Sequence, residues 1–189
     1  MRSLIQVLRD GGVSGEELPP ILPLLHNNDI RIRRGQLQVI AGQPGRGKTL
    51  LALWYAVHSG VNTLYFSADS DQGTIFNRAL ATYLEEPVSE IKARRALDTK
   101  DPRRIELGEA AWDLSQRLRI QPDPSPTMDD IFEEVLAYVE LTGDTPELIV
   151  IDNASNVVSL HENEWTGLRD TLRACHSLAR DSESALLLL

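Results

Sequence analysis

Residues 37–49, with the sequence LQVIAGQPGRGKT, place a compact apolar run directly before a glycine-rich turn. The run LQVIA (37–41) predicts a buried strand. Apolar residues then recur at helical spacing, at Leu50, Leu53, Trp54 and Val57. The turn matches the pattern G-x-x-x-x-G-K-[ST] at every fixed position and lies between strand and helix, as that pattern requires. This stretch therefore predicts a phosphate-binding loop.

Each fixed position of the loop has a chemical task in binding a polyphosphate. Glycines let the backbone wrap around the phosphates, while backbone amides and the helix N-terminus supply partial positive charge. Lys48 adds a full charge toward the β and γ phosphates, and the hydroxyl of Thr49 is a Mg²⁺ ligand. The expected nucleotide-binding residues are Gly42, Gln43, Pro44, Gly45, Arg46, Gly47, Lys48, Thr49 and Leu50. The alternative is a glycine-rich turn that binds nothing.

Strands and helices alternate along the rest of the chain. Further strands are predicted at 62–68, 118–121, 147–152 and 185–189, with helices over 70–84, from Pro102, from Thr127 and over 163–180. Strands separated by helices predict an α/β fold with a mostly parallel sheet. Residues 1–36 are expected to be a lead-in arm that begins with a short apolar helix, and residues 37–189 the core. Because the last strand has no closing helix, we expect a chain truncated at its C-terminus.

Composition excludes several classes of protein. A length of 189 residues suits one domain, and a net charge of -9 means that any contact to DNA requires a local basic patch. The single cysteine, Cys175, excludes an internal disulfide, and no Cys or His cluster has zinc spacing. No apolar run has the length of a membrane span, and no signal-peptide core is present. We expect a cytoplasmic protein without a membrane partner.

Two groups of basic residues are candidate contacts to DNA. The first lies on the segment after Pro87 and consists of Lys92, Arg94, Arg95, Lys100, Arg103 and Arg104. It could track phosphates, or it could be a solvated helical face. The second consists of Arg31, Arg33 and Arg34, which could touch DNA, a neighbouring subunit or only solvent. Among the aromatic residues, Trp54 and Trp112 fall on apolar helix faces and are expected in the core.

Two carboxylates follow predicted strands. Asp152 ends the strand ELIVID, the position at which P-loop proteins hold the hydration shell of Mg²⁺, known as Walker B. The alternative is a turn residue at a strand end. Asp69 follows the second strand at the edge where open α/β sheets bind ligands, and it could orient the attacking water. Helix capping by Ser67, Asp69 or Ser70 is the alternative, and Asp71 is the less favoured candidate for the water role.

These motifs together resemble the RecA-like ATPase core of DnaB-type replicative helicases, and more closely the DnaB/RecA-like proteins of actinobacterial phages. The resemblance lies in RRGQLQVIAGQPGRGKTLLAL (33–53), NTLYFSADSDQGTIFNRALA (62–81), LRIQPDPSPTMDDIFEEV (118–135) and ELIVIDN (147–153). It implies a three-layer RecA-like P-loop NTPase fold.

In such cores a glutamate activates water at the position that Asp69 occupies, so the side chain here is one methylene shorter. The first DNA loop of the family corresponds to 153–163, a segment with no Lys or Arg. The resemblance places the family's arginine finger, γ-phosphate sensor and second DNA loop beyond Leu189.

The leading hypothesis is an ATP-binding, Mg²⁺-dependent NTPase that acts on single-stranded or forked DNA in replication, recombination or repair. Lys48, Asp69 and Asp152 are the expected catalytic residues, with Mg²⁺ held by Thr49 and Asp152. Because hydrolysis in this family uses a neighbour's arginine, the full-length protein is expected to form a homo-oligomeric ring or filament. One alternative is a metal-dependent nuclease for branched DNA that uses Asp69, Asp71 and Asp152. Another is a nucleotide-switched binding module without motor activity.

Overall fold

The chain folds around a parallel β-sheet. The computed structural model describes residues 15–158 and 164–189. Its strands are β1 (Leu37–Val39), β2 (Thr63–Ser67), β3 (Leu118–Pro122), β4 (Leu148–Asp152) and β5 (Ala185–Leu188). They form one five-stranded sheet in the order β1-β5-β4-β2-β3, and every neighbouring pair is parallel. The predicted α/β fold with a parallel sheet is confirmed.

Helices connect these strands, as parallel pairing requires. In the described ranges they are α1 (Pro23–Asn27), α2 (Lys48–His58), α3 (Gln72–Tyr83), α4 (Val88–Arg95), α5 (Pro102–Ser115), α6 (Met128–Thr142) and α7 (Glu164–Asp181), with a 3₁₀ turn at Ala154–Asn156. Helix α4, which was not predicted separately, carries the first part of the basic segment, and Arg103 and Arg104 lie at the start of α5. Within residues 15–158 and 164–189, no helix combines the length and the apolar character needed to cross a lipid bilayer.

The central strands are buried on both faces. In β4, Leu148 and Val150 pack into a cluster with apolar residues of α2, α3, α4 and α5, whereas Ile149 and Ile151 pack with α6 and α7. All residues of β2, β4 and β5 are buried. Two helical layers therefore enclose the sheet, which explains why ELIVID and ALLLL are continuous apolar runs rather than alternating ones.

Local sequence sets several helix ends. Thr127 and Asp130 form the predicted capping box: the Asp130 amide donates to Thr127 Oγ1 over 3.1 Å, and the Thr127 amide donates to Asp130 Oδ2 over 2.8 Å. The Thr127 hydroxyl also donates to Asp130 Oδ2 over 2.6 Å, and this bond, more than the one from the Thr127 amide, lowers the pKa of the Asp130 carboxyl. The same helix ends at Gly143, whose φ of 83° is in the left-handed region that glycine adopts readily. Both ends of α6 agree with the prediction.

The lead-in segment packs against the core. Leu18 and Ile32 are buried in the same cluster as α2 and Val150. Glu17 forms ion pairs with Arg31 at 3.2 Å and with Arg33 at 3.1 Å, so these arginines tie the segment together. The predicted domain boundary at residue 36 stays a prediction. The short helix expected near the N-terminus lies outside the described residues.

One core prediction is wrong. Trp112 is 72% exposed, whereas Leu107 and Leu114 of the same helix are buried. Successive helical residues are rotated by about 100°, which puts Trp112 about 140° from Leu107 and about 200° around the helix from Leu114. The tryptophan therefore lies on the side of α5 that faces away from the sheet. Trp54 is half-buried, and its ring lies 4.7 Å from that of His58.

Candidate nucleotide-binding site

The glycine-rich loop runs from the end of β1 at Val39 to the start of α2 at Lys48. Two of its glycines adopt backbone angles that side chains disfavour: φ is 74° at Gly45 and 84° at Gly47. Gly47 is also the residue that precedes the first turn of α2. These conformations give a physical reason for glycine at two positions of the motif.

The first backbone amides of α2 have no side-chain partner. No side chain caps the helix, and no acidic residue lies in its first turn. The starts of α3, α5 and α6 are capped by Asp71, Asp101 and Thr127, whereas α1 and α4 also lack a side-chain cap, α4 with Glu90 in its first turn. The first amides of a helix have no partner within the helix and carry a partial positive charge, so an uncapped start suits an anion.

Lys48 lies against the loop that it follows. Its Nζ donates to the carbonyl oxygen of Gly42 over 2.9 Å and to that of Gln43 at 3.5 Å. The ammonium group therefore adds its charge next to the open amides. Thr49 is half-buried in the same turn, and the side chain of Leu50 is 62% exposed. The loop thus gathers cationic and amide donors on an accessible surface.

Asp152 is the last residue of β4 and is only 4% exposed. Tyr65, from the adjacent strand β2, donates a hydrogen bond from its hydroxyl to Asp152 Oδ2 over 2.8 Å. Burial, reinforced by the negative carboxylate, raises the pKa of the Tyr65 phenol well above its usual value. Tyr65 belongs to the core cluster shared with α2, so the carboxylate lies on the sheet face that carries the glycine-rich loop.

Asp69 follows β2 at the same sheet edge and is exposed. Both backbone polar groups of the preceding residue, Ala68, form hydrogen bonds. The Ala68 amide donates to the Asp152 carbonyl over 2.7 Å, and the Ala68 carbonyl accepts from Asn156 Nδ2 over 2.9 Å. Asp71, rather than Ser67, Asp69 or Ser70, caps α3 by accepting from the Thr74 amide at 3.0 Å. Hydrogen bonds from Thr74, its hydroxyl first, lower the pKa of Asp71. The capping role is thus separate from Asp69.

Two residues at this edge were not identified from sequence, Tyr65 and Asn156. A tyrosine within a fully buried strand needs a hydrogen-bond partner for its hydroxyl. The buried position of Tyr65 was therefore the sequence signal that it contacts a polar group. Nothing local identifies the partner, because Asp152 is 87 positions away along the chain. Asn156 lies in a polar segment where an amide has many possible roles.

Two of the predicted residues carry the kind of group that Mg²⁺ prefers, and a Mg²⁺ site at Thr49 and Asp152 stays a prediction. A hydroxyl from Thr49 and a buried carboxylate from Asp152 are oxygen donors, which this ion prefers, and P-loop sites complete the set with phosphates and water. In the described part of the chain, no group of three or more His, Cys, Asp or Glu side chains could hold a metal. Asp69, Asp71 and Asp152 are therefore not gathered as the nuclease alternative requires.

The basic segment is largely engaged in holding helices together. Arg94 forms ion pairs with Glu86 at 2.8 Å and Glu90 at 3.3 Å. Arg95 donates to Asn77 Oδ1 over 2.7 Å. The remaining arginines of the group also bond within the protein: Arg103 pairs with Asp101, and Arg104 donates to the carbonyl of Arg95. These contacts favour a structural role over a phosphate-tracking patch.

A parallel sheet between two helical layers, with a glycine-rich loop leading into an uncapped helix, defines a P-loop NTPase fold of the RecA-like class. The chain belongs to the AAA domain family, whose model matches residues 3–189. It is 34% identical over 181 residues to the Gene 65 protein of Mycobacterium phage L5 and 33% identical over 154 residues to that of Mycobacterium phage D29. These alignments include 93% and 79% of the chain but only 65% and 63% of the relatives' length.

Solved structures share the fold at low sequence identity. A DnaB-like replicative helicase, described with its interactions with primase, superposes with a TM-score of 0.77 at 17% identity over 99% of this chain and 48% of its own. A second solved ATPase domain superposes with a TM-score of 0.75 at 16% identity, covering 98% of this chain and 68% of that domain. The predicted three-layer RecA-like architecture is thereby confirmed.

Proposed function

We propose that the protein binds ATP with Mg²⁺ and hydrolyses it, as a RecA/DnaB-like NTPase that acts on DNA in replication, recombination or repair. The observation that carries this proposal is the uncapped start of α2, with Lys48 folded against the glycine-rich loop that precedes it. A buried carboxylate, Asp152, lies on the same face of the sheet. An open helix N-terminus beside a lysine favours a phosphate group.

Each predicted residue has a role that its position supports. The loop amides and Lys48 bind the phosphates, which draws the ammonium from the Gly42 carbonyl toward the nucleotide. Thr49 and Asp152 hold Mg²⁺, which when bound neutralises phosphate charge and orients the terminal phosphate. Asp69, at the neighbouring strand end, orients the attacking water. The protein thus contributes positioning and charge rather than covalent chemistry.

The partners proposed for this site follow from the family resemblance. We propose a homo-oligomer in which a neighbouring copy supplies an arginine to the nucleotide, acting on single-stranded or forked DNA in the cytoplasm of a bacterial host. The two phage relatives and the fold of a replicative helicase support this proposal. Because Arg94 and Arg95 are engaged within the fold, we propose that DNA contacts lie on other surfaces.

Binding of a fluorescent ATP analogue to Lys48→Ala tests the proposal. Loss of a charged hydrogen-bond donor costs about 1.5–3 kcal/mol, so affinity should fall by roughly 10- to 150-fold. Lys92→Ala is the matched control, because Lys92 is an exposed lysine on α4, away from the loop. Its affinity should equal that of the parent. Equal affinity in Lys48→Ala and the parent would refute the proposed site.

A nucleotide-switched binding module is the second candidate, favoured by one observation. The carboxylate at the water-orienting position is that of an aspartate, one methylene shorter than the family's glutamate. Hydrolysis is measured with and without single-stranded and forked DNA. Stimulated turnover supports the motor, whereas tight binding without turnover supports the switch. Cleavage of DNA with Mg²⁺ and no nucleotide would instead support the nuclease.

A further inference from the structure

We propose that Tyr65 is a positioning residue for the Mg²⁺ site, holding the Asp152 carboxylate so that one of its oxygens faces the metal-bound water. This inference rests on the proposed nucleotide site. Its basis is the 2.8 Å hydrogen bond from the Tyr65 hydroxyl to Asp152 Oδ2. Both side chains are buried, at 0% and 4% exposure, so water competes little for the contact.

The sheet register makes this contact possible. Ser67 lies opposite Asp152 and Tyr65 lies opposite Val150 on the parallel strands β2 and β4. Tyr65 is two residues before Ser67, so its side chain leaves the same face of the sheet and can reach diagonally toward the strand end. A shorter side chain at this position would stop before the carboxylate. The Tyr65 side chain is therefore long enough to reach Asp152, which lies two residues beyond Val150 on the neighbouring strand.

The hydrogen bond leaves the carboxylate with one oxygen for the metal shell. Among residues 15–158 and 164–189, the side-chain hydrogen bonds of Asp152 are limited to the one from Tyr65, and this bond uses Oδ2. Oδ1 is then the oxygen that can accept from water bound to Mg²⁺. A phenol ring packed into the core has little freedom, so it fixes the rotation of the carboxylate. Outer residues of this kind typically change metal affinity or activity by about 10- to 100-fold when removed.

The test is Tyr65→Phe, which keeps the ring and removes only the hydroxyl. Mg²⁺ is titrated into the protein at saturating non-hydrolysable ATP analogue, and the rise in melting temperature is followed. We expect the Mg²⁺ concentration at half effect to increase about tenfold or more. Affinity for the analogue in EDTA should stay at the parent's value, because the loop and Lys48 are untouched. This separation between metal and nucleotide distinguishes a positioning role from a general loss of packing.

Tyr55→Phe is the matched control. Tyr55 is also buried, and its hydroxyl donates to the carbonyl of Pro19 over 2.9 Å, in the lead-in segment. The control removes the same atom from a buried tyrosine but leaves Asp152 intact, so its Mg²⁺ midpoint should equal that of the parent. A Tyr65→Phe midpoint equal to those of the parent and the control overturns the inference. Absence of nucleotide binding by the parent itself would overturn the proposed function, and the inference with it.

Tyr65→Phe leaves the buried Asp152 carboxylate without its hydrogen-bond donor, so this variant could fail to fold. A second comparison tests the inference in that case. Asp152→Ala, which leaves Tyr65 no acceptor, is compared with the double variant Tyr65→Phe/Asp152→Ala. If Tyr65 acts only through the carboxylate, the two variants have the same Mg²⁺ midpoint. A further increase in the double variant shows that Tyr65 acts by another route and overturns the inference.

Discussion

The side-chain amide of Asn156 donates a hydrogen bond to the backbone carbonyl of Ala68 over 2.9 Å. This bond joins the 3₁₀ turn after β4 to the residue that immediately precedes Asp69. The amide of Ala68 is also held, by the carbonyl of Asp152 at 2.7 Å. The position of the proposed water-orienting carboxylate therefore depends on the segment that follows β4.

Asn156→Ala should slow hydrolysis without weakening ATP binding. Releasing the Ala68 carbonyl lets Asp69 shift relative to the nucleotide, and a displacement of about 1 Å at a reacting group can cost up to 100-fold in rate. We expect kcat to fall about 10-fold or more, with KM and the affinity for ATP unchanged. Ser155→Ala is the control, because Ser155 bonds to Asn153 and Asn156 within the turn and not to Ala68. A parallel loss of ATP affinity in Asn156→Ala would indicate collapse of the loop instead.

Substitutions of Asp69 should separate binding from turnover. Asp69→Asn removes the carboxylate that we propose orients the attacking water, and it is expected to lower kcat by about 100-fold or more, while ATP affinity stays at the parent's value. Asp69→Glu introduces the side-chain length that the resemblance to DnaB-type cores implies at this position, and it should raise kcat above that of the parent. Steady-state hydrolysis and nucleotide binding are measured on the same preparations. If Asp69→Asn turns over ATP like the parent, another group orients the water.

The features that could be predicted from sequence are those whose determinants are neighbours along the chain. The glycine-rich loop, the capping box of Thr127 and Asp130, and the buried strand that ends at Asp152 all depend on a few consecutive residues. The contact from Tyr65 to Asp152 joins positions 87 apart, so it depends on strand order and register. Trp112 was misplaced because one helix has several apolar positions, and only the packed structure decides which of them face the sheet.

The capping box should make stability depend on pH in the acidic range. Hydrogen bonds from Thr127, its hydroxyl first, lower the pKa of Asp130 in the folded state. The stabilisation is therefore present above the unfolded-state pKa of about 4 and is lost as pH falls through the folded-state value. Thermal melts of the parent and Asp130→Ala should differ most near neutral pH and converge in acid. Asp129→Ala, which removes a charge from the same turn but leaves the box, should have a smaller effect at neutral pH.

Arg94→Ala should reduce stability and leave DNA binding unchanged. Its guanidinium joins Glu90 on the same helix to Glu86 in the preceding turn, and the Arg94 side chain is only 19% exposed. Removing it breaks the ion pairs that link α4 to the residue before Pro87, so the melting temperature should fall. A residue that contacts a phosphate would instead reduce the slope of log affinity against log salt by about 1. Lys92→Ala, an exposed neighbour on α4, is the control for stability and should melt like the parent. A smaller slope of log affinity against log salt in Arg94→Ala, at unchanged melting temperature, would show instead that the basic segment contacts DNA.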